Sequence, residues 1–367
     1  MKVVCNRDVL LEAVQAVQQA VAGRTPRPIL QCIKIETQKE KMTLMATDQE
    51  ESIRFDITQL DVGEPGTALV GAERLSGIVR ETLDKTLKLE LIENTLHIRG
   101  HCCHFQIFSQ DPKDFPQVPE FEGDVEFSLP AGTLRKLLHR TQFAMAHTST
   151  RYAINGALWE RKGQRLQIVA TDGKRLALAK AAVTRKTEQD ASSLVPAKAM
   201  SIIEKNLLSD DVKADVAISE RQIFLQIGPA MICANLLEGH FPRYEEVLPK
   251  GCDKKVEIAI GDFGSAVRQA ALLTDETSHG VSMALGKDEM VMTGRSSEQG
   301  EATINVPVAY EGEEFKIGFN PQFLIEAMRV VAGEEEKLVM ELKAPDKPGM
   351  FRVGPDLTYV VMPVSLQ

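Results

Sequence analysis

No stretch of the chain reaches about 18 consecutive apolar residues, so no segment is long enough to cross a bilayer as a helix. Residues Met1 to Asp8 lack the apolar core of a secretion signal and meet an acid at Asp8, so a cytoplasmic protein is expected. The six cysteines, Cys5, Cys32, Cys102, Cys103, Cys233 and Cys252, form no C-x-x-C pair, and in such a chain they are expected to be reduced. His101-Cys102-Cys103-His104 invites a metal reading. If those four lie on a strand, however, neighbours point to opposite faces and cannot converge on one ion, so no metal is expected. Glycine-rich phosphate loops, a G-x-S-x-G elbow and an H-E-x-x-H pair are all missing. Neither a nucleotide cofactor nor a familiar hydrolytic centre is therefore expected. A net charge of −9 argues against a generally basic coat, but it does not exclude a local basic surface.

What is present is length and repetition. At 367 residues the chain is too long for one ordinary core, and 43% hydrophobic with 26% charged residues fits a globular protein of two or three domains. A short strand followed by an amphipathic helix recurs three times. It starts at Val3, Val125 and Val256, with helical apolar positions at Leu10, Leu11, Val14, Val17 and Val21, at Leu134, Leu137, Leu138 and Phe143, and at Phe263, Val267 and Leu272. A second strand-to-helix unit recurs at Leu69–Leu83, Leu194–Leu207 and Ile317–Met328. There Asn320 is placed to cap a helix and Pro321 to begin it. Phe105–Val118 and Cys233–Leu248 form a third shared unit, each with a Phe-Pro step. Turn-rich linkers fall at Pro119–Asp124 and Pro249–Lys254. The expected fold is α+β, with three tandem similar domains at 1–122, 123–252 and 253–367, each built of two helices and antiparallel sheets.

Gln167–Leu178 reads as a β-hairpin around Thr171-Asp172-Gly173-Lys174, with a partial copy at Ala46-Thr47-Asp48. Asp48 and Asp172 could suggest paired catalytic acids. A turn role explains both more simply, and Thr293-Gly294-Arg295, read as the third copy, has no acid. Basic residues gather in the repeated units: Arg135, Lys136, His139 and Arg140 on the first helix of the middle repeat, Arg74 and Arg80, Lys198 and Lys205, and Arg329 on the second-helix units, and Arg24 and Arg27 in the loop after the first helix. Each taken alone fits a solvated face; their recurrence favours a shared basic surface.

Four stretches, Arg151–Gly156, Thr171–Ala177, Phe241–Pro249 and Tyr359–Pro363, resemble the bacterial sliding clamp family, the beta subunit of DNA polymerase III. The resemblance covers the whole chain. It implies a head-to-tail ring of two chains around duplex DNA, with helices lining the hole, no catalysis and no cofactor. Six helices at about 10 Å spacing would leave about 9 Å of clearance, whereas twelve leave about 28 Å, enough for duplex DNA. Contacts within such a ring go to phosphates, independent of sequence.

By the resemblance, Arg24, Arg80, Tyr152 and Lys198 fall at DNA-contacting positions, as does Thr148, where some relatives place glutamine. A pocket for short peptides of DNA polymerase III, other polymerases, repair proteins and the clamp loader maps to Ile154, Thr171, Gly173, Lys174, Arg175, Leu176, Pro242, Val247, Val360, Met362 and Pro363. In this reading the hairpin forms one wall and the chain's end the opposite wall. The homodimer contact is expected to set Phe105 and Ile107 against Leu272 and Leu273 of the other chain, with a location in the cytoplasm at the nucleoid. Two rival readings remain at this level: a repeat-built scaffold with no DNA role, and an enzyme using Asp48 and Asp172.

Overall fold

The structure is a computed structural model describing residues 1–121, 123–146, 154–185, 189–274 and 280–365. Among these residues six α-helices occur: α1 Arg7–Gln18, α2 Ala72–Glu81, α3 Ala131–Gln142, α4 Ala197–Asn206, α5 Ile260–Ala271 and α6 Pro321–Val331. The helices begin where local chemistry satisfies their free N–H groups. Asn6 caps α1 by accepting from the amides of Asp8 and Val9, and Asn320 caps α6 by accepting from Gln322, with Pro321 as first helical residue. The apolar stripe of α1 (Leu10, Ala13, Val14, Val17) and that of α5 (Phe263, Ala266, Val267, Ala270) are buried.

Helical spacing in the sequence overruns the helices. Thr82 closes α2 by donating its hydroxyl to the Ile78 carbonyl at 2.6 Å. Leu83, expected on the buried stripe, lies just beyond and is 98% exposed. Leu272 likewise falls at the C-cap of α5 rather than on its apolar stripe, and is 75% exposed.

The chain forms two compact units. The first holds residues 1–134, 184–185 and 198–236. It contains a five-stranded sheet ending at strand His104–Phe108, and a nine-stranded sheet in which Glu51–Ile57 pairs with Ala230–Asn235. The second contains an eight-stranded sheet in which Arg175–Ala182 pairs with Leu357–Val361, and a four-stranded sheet ending at strand Gly300–Pro307. These units do not follow the three sequence repeats, because the middle repeat gives strands to both large sheets.

The two junction pairings share one register. Ser52 faces Cys233 and Ile53 faces Ile232; at the equivalent places Leu176 faces Val360 and Ala177 faces Tyr359. Equivalence is fixed by the preceding turn, in which Thr47 pairs with Ser52 as Thr171 pairs with Leu176. In the third repeat the corresponding turn runs from Ser296 to Gly300. Thr293-Gly294-Arg295, read from the sequence as that turn, instead lies within strand Glu289–Ser296.

Candidate functional site

The hairpin turn is built by its own side chains. Asp172 Oδ1 accepts from the amides of Lys174 (2.9 Å) and Arg175 (3.0 Å). The Thr171 hydroxyl donates to the Arg175 carbonyl at 2.6 Å and accepts from the Gly173 amide at 3.1 Å. The positive φ, +87°, falls on Gly173, where a side chain would be strained. Every one of these bonds recurs in the partial copy. Asp48 accepts from Glu50 and Glu51, Thr47 bonds Glu51 and Gln49, and Gln49 takes φ 83°. The equivalence seen between Asp48 and Asp172 is therefore one of turn architecture, with both carboxylates engaged by backbone N–H groups.

Below the turn lies an apolar cluster of Leu158, Val169, Leu176, Leu178, Leu194, Met350 and Val360, all on strands of the eight-stranded sheet, together with Tyr244. Leu237, Phe241 and Leu248 pack on it while remaining partly open. Each fully buried side chain of this size contributes about 1.5–3 kcal/mol. Tyr244 is anchored by its hydroxyl, which donates to Glu160 Oε2 at 2.6 Å, while Gln167 Nε2 reaches the same carboxylate. Burial would push the Glu160 carboxyl up, but the bonds from Tyr244 and Gln167 outweigh it and hold the group below its ordinary range. The Tyr244 hydroxyl is pushed up, first by burial and then by Glu160.

Of the expected pocket residues, Leu176 and Val360 sit inside this cluster, directly opposite each other across two strands. Pro242 is half-buried and Val247 is exposed; they adjoin Phe241 and Leu248, which pack on the cluster. Met362 is 40% exposed and donates its amide to the Lys174 carbonyl at 2.9 Å; Pro363 beside it is half-buried. Ile154 is buried, and Gly173 and Lys174 are exposed on the turn.

Two expectations are corrected. The hairpin and the chain's end are not facing walls but hydrogen-bonded neighbours in one sheet, so they form a common floor. The covering side is the segment carrying Leu237, Phe241, Tyr244 and Leu248. Arg175 does not line the groove. Successive strand residues point to opposite faces, so when Leu176 enters the cluster Arg175 turns away. Its guanidinium lies 3.0 Å from Asp172, pairs with Glu326 of α6, and stacks 4.6 Å over the Phe323 ring. The Thr171 hydroxyl is likewise spent on the turn. Leu178 and Met350, not named from the sequence, belong to the cluster; Leu178 was legible as the residue two along from Leu176, on the same face.

Among the expected DNA contacts, Arg24 is exposed and Arg80 is exposed beside Glu81 at 3.1 Å. Lys198 Nζ is held by Asp48 and, at 2.8 Å, by Glu51. Burial, aided by Glu50, pushes the Glu51 carboxyl up to about 7. Thr148 and Tyr152 lie outside the described residues. At the expected homodimer contact, Phe105 is 36% exposed and Ile107 half-buried on an edge strand, with Phe108 beside them at 87%. Leu272 is exposed and Leu273 half-buried.

His101, Cys102 and Cys103 lie in a turn, and only His104 begins the strand, which corrects the strand reading of that cluster. There Cys103 Sγ donates to Asp84 and His104 stacks on His97 with ring centroids 5.2 Å apart. Among the described residues no cluster of three potential metal ligands occurs.

The structure is thus a strand-and-helix unit repeated three times, its copies joined through shared sheets. Three family models match the chain in sequence: the DNA polymerase III beta subunit N-terminal domain over residues 1–119, its central domain over 128–243 and its C-terminal domain over 245–365. The beta sliding clamp of Proteus mirabilis is 31% identical, and that of Escherichia coli K12 29%, each over the full length of both chains. A solved sliding clamp from Pseudomonas aeruginosa bound to griselimycin superposes with a TM-score of 0.95 at 29% identity, covering all of both chains. The chain belongs to the DNA polymerase III beta subunit family, the bacterial sliding clamps, and is a DNA sliding clamp of three tandem clamp domains.

Proposed function

We propose that two copies of this chain close head to tail into a ring around duplex DNA, and that the apolar groove beneath Gly173-Lys174 holds short peptides of DNA polymerase III, other polymerases, repair proteins and the clamp loader. The ring acts by topology and charge, with no catalytic step of its own, in the cytoplasm at the nucleoid. Domain limits at 122/123 and 252/253 fit this reading.

The carrying observation is the shared register of the two internal junctions. Strand Gly300–Pro307 is the third copy of Glu51–Ile57 and Arg175–Ala182, and His104–Phe108 is the third copy of Ala230–Asn235 and Leu357–Val361. Among the described residues both stand at the edge of their sheets, which favours pairing with another chain. Applying the same register sets Glu301 opposite the partner's Phe105. Phe105 and Ile107 then meet Leu272 and Leu273, giving a heterologous contact that closes. Sedimentation analysis tests this: a mass of two chains is expected, and a monomer at micromolar concentration rejects the ring.

Inside the ring, Arg24, Arg80, Thr148, Tyr152 and Lys198 are the proposed phosphate contacts, weak and sensitive to salt so that the ring slides. Lys198 is shared with Asp48 and Glu51, which tempers its hold on DNA.

A further inference from the structure

The peptide groove has a counterpart in the other compact unit, and the chain itself fills it. Register fixes the correspondence. Ser52 and Arg54 stand where the groove has Leu176 and Leu178, Cys233 where it has Val360, and Phe224 where it has Met350. Phe115 and Val118 repeat Phe241 and Tyr244, and pack with Cys32, Met45 and Leu69. The same register sets Lys34 where the groove has Leu158, so the floor keeps apolar side chains at Met45, Leu69, Phe224 and Cys233 and carries two basic ones, Lys34 and Arg54.

Residues Val118–Phe121 lie on this floor. The Arg54 guanidinium donates to the Val118 carbonyl at 3.4 Å and pairs with the Glu120 carboxylate at 3.1 Å. Phe121 packs on Ala217, Phe224, Met231 and Cys233, its ring edge-on to Phe224 with centroids 6.1 Å apart. The fit is incomplete: a cavity of about 270 Å³ remains, lined by Lys41, Arg54, Asp56, Gln226, Met231 and the linker's own Phe121. Glu120 is 78% exposed, so the linker is held at few points and by a largely solvated carboxylate.

We infer that this groove is a second peptide-docking site, taking an extended peptide in which a carboxylate is followed directly by an aromatic ring, and that Glu120-Phe121 occupies it until such a partner displaces it. The inference rests on reading the groove at Leu176 as a peptide dock. The replacement of three leucines by Lys34, Ser52 and Arg54 changes the preferred ligand from a mainly aliphatic peptide to an acidic-aromatic one. Because the linker is tethered, its effective concentration is on the order of millimolar. A free peptide therefore meets a competitor with no equivalent at the groove at Leu176 among the described residues.

The test uses the full chain and a fluorescent peptide copying Gln117 to Asp124, followed by anisotropy. Binding is expected to be at least tenfold tighter to the Glu120→Ala/Phe121→Ala variant than to the parent chain. Adding Arg54→Glu abolishes that gain; adding Leu176→Asp leaves it intact. Phe121→Ala alone shows the same order if the double variant folds poorly. Equal affinity for parent and opened chain, or no binding to either, overturns the inference. Loss of the gain with Leu176→Asp but not with Arg54→Glu also overturns it, since the peptide then sits in the other groove. A failure of the Leu176 groove to bind polymerase, by contrast, leaves these arms unchanged and counts only against the reading beneath them.

Discussion

Glu51 and Arg175 close the same turn in two copies of one repeat and carry opposite charge. Each is almost fully buried, and each is met by a charge from a helix: Glu51 by Lys198 of α4, Arg175 by Glu326 of α6. The backbone bonds of the turn are duplicated, while the ion pair that ties strand to helix is reversed. Both turns thus use a buried charge to fix a helix against the sheet.

Removing Arg175 leaves Asp172 and Glu326 facing each other without their counter-charge. Breaking a buried pair costs about 3–5 kcal/mol. Arg175→Ala is therefore expected to destabilise its unit by about that amount. The single tryptophan, Trp159, is buried in the same unit, so its fluorescence during urea unfolding reports the loss. An unchanged midpoint contradicts the role.

Glu51 gives stability a pH dependence. Its carboxyl is pushed up to about 7 in the folded chain, against an ordinary 4.5. Between those values the folded state binds more protons than the unfolded, so stability falls as pH rises through this window. Glu51→Gln is expected to flatten that part of the profile, by up to about 1.4 kcal/mol per pH unit. Melting temperatures from pH 4.5 to 8 for both proteins check it; parallel profiles speak against it.

In the groove, Leu176→Asp sets a charge among buried apolar side chains, and Met362→Asp places one at its open rim. Losing one buried leucine contact is worth about 2 kcal/mol, and desolvating a carboxylate adds to that. Binding of the replicative polymerase to immobilised clamp is expected to weaken at least 30-fold for Leu176→Asp, with dimer mass unchanged. Retained affinity removes the groove assignment.

Leu272→Asp is expected to convert dimer to monomer, because the side chain is exposed in the single chain and would be covered only in the ring. Sedimentation at several concentrations follows the shift, and a dimer of unchanged strength would clear Leu272 of any interface role.

Much of the fold was legible because strand-then-helix spacing is written three times and the Thr-Asp turn twice, while Asn320-Pro321 marks one helix start on its own. Where helices stop was not. Leu83 continues the apolar period, but the Thr82 hydroxyl ends the helix one residue earlier. In the site, the residue types were readable and their directions were not. Arg175 and Leu176 are neighbours in sequence, yet strand geometry sends one to an ion pair and the other to the groove. The pairing of the hairpin with the chain's end joins residues about 180 positions apart, which no local pattern reports.

The central claim is topological, and retention on DNA tests it most directly. After loading onto a nicked circular plasmid, the protein is expected to stay bound through gel filtration at moderate salt and to be released when a restriction enzyme linearises the circle. Equal retention on circular and linear DNA would contradict the ring.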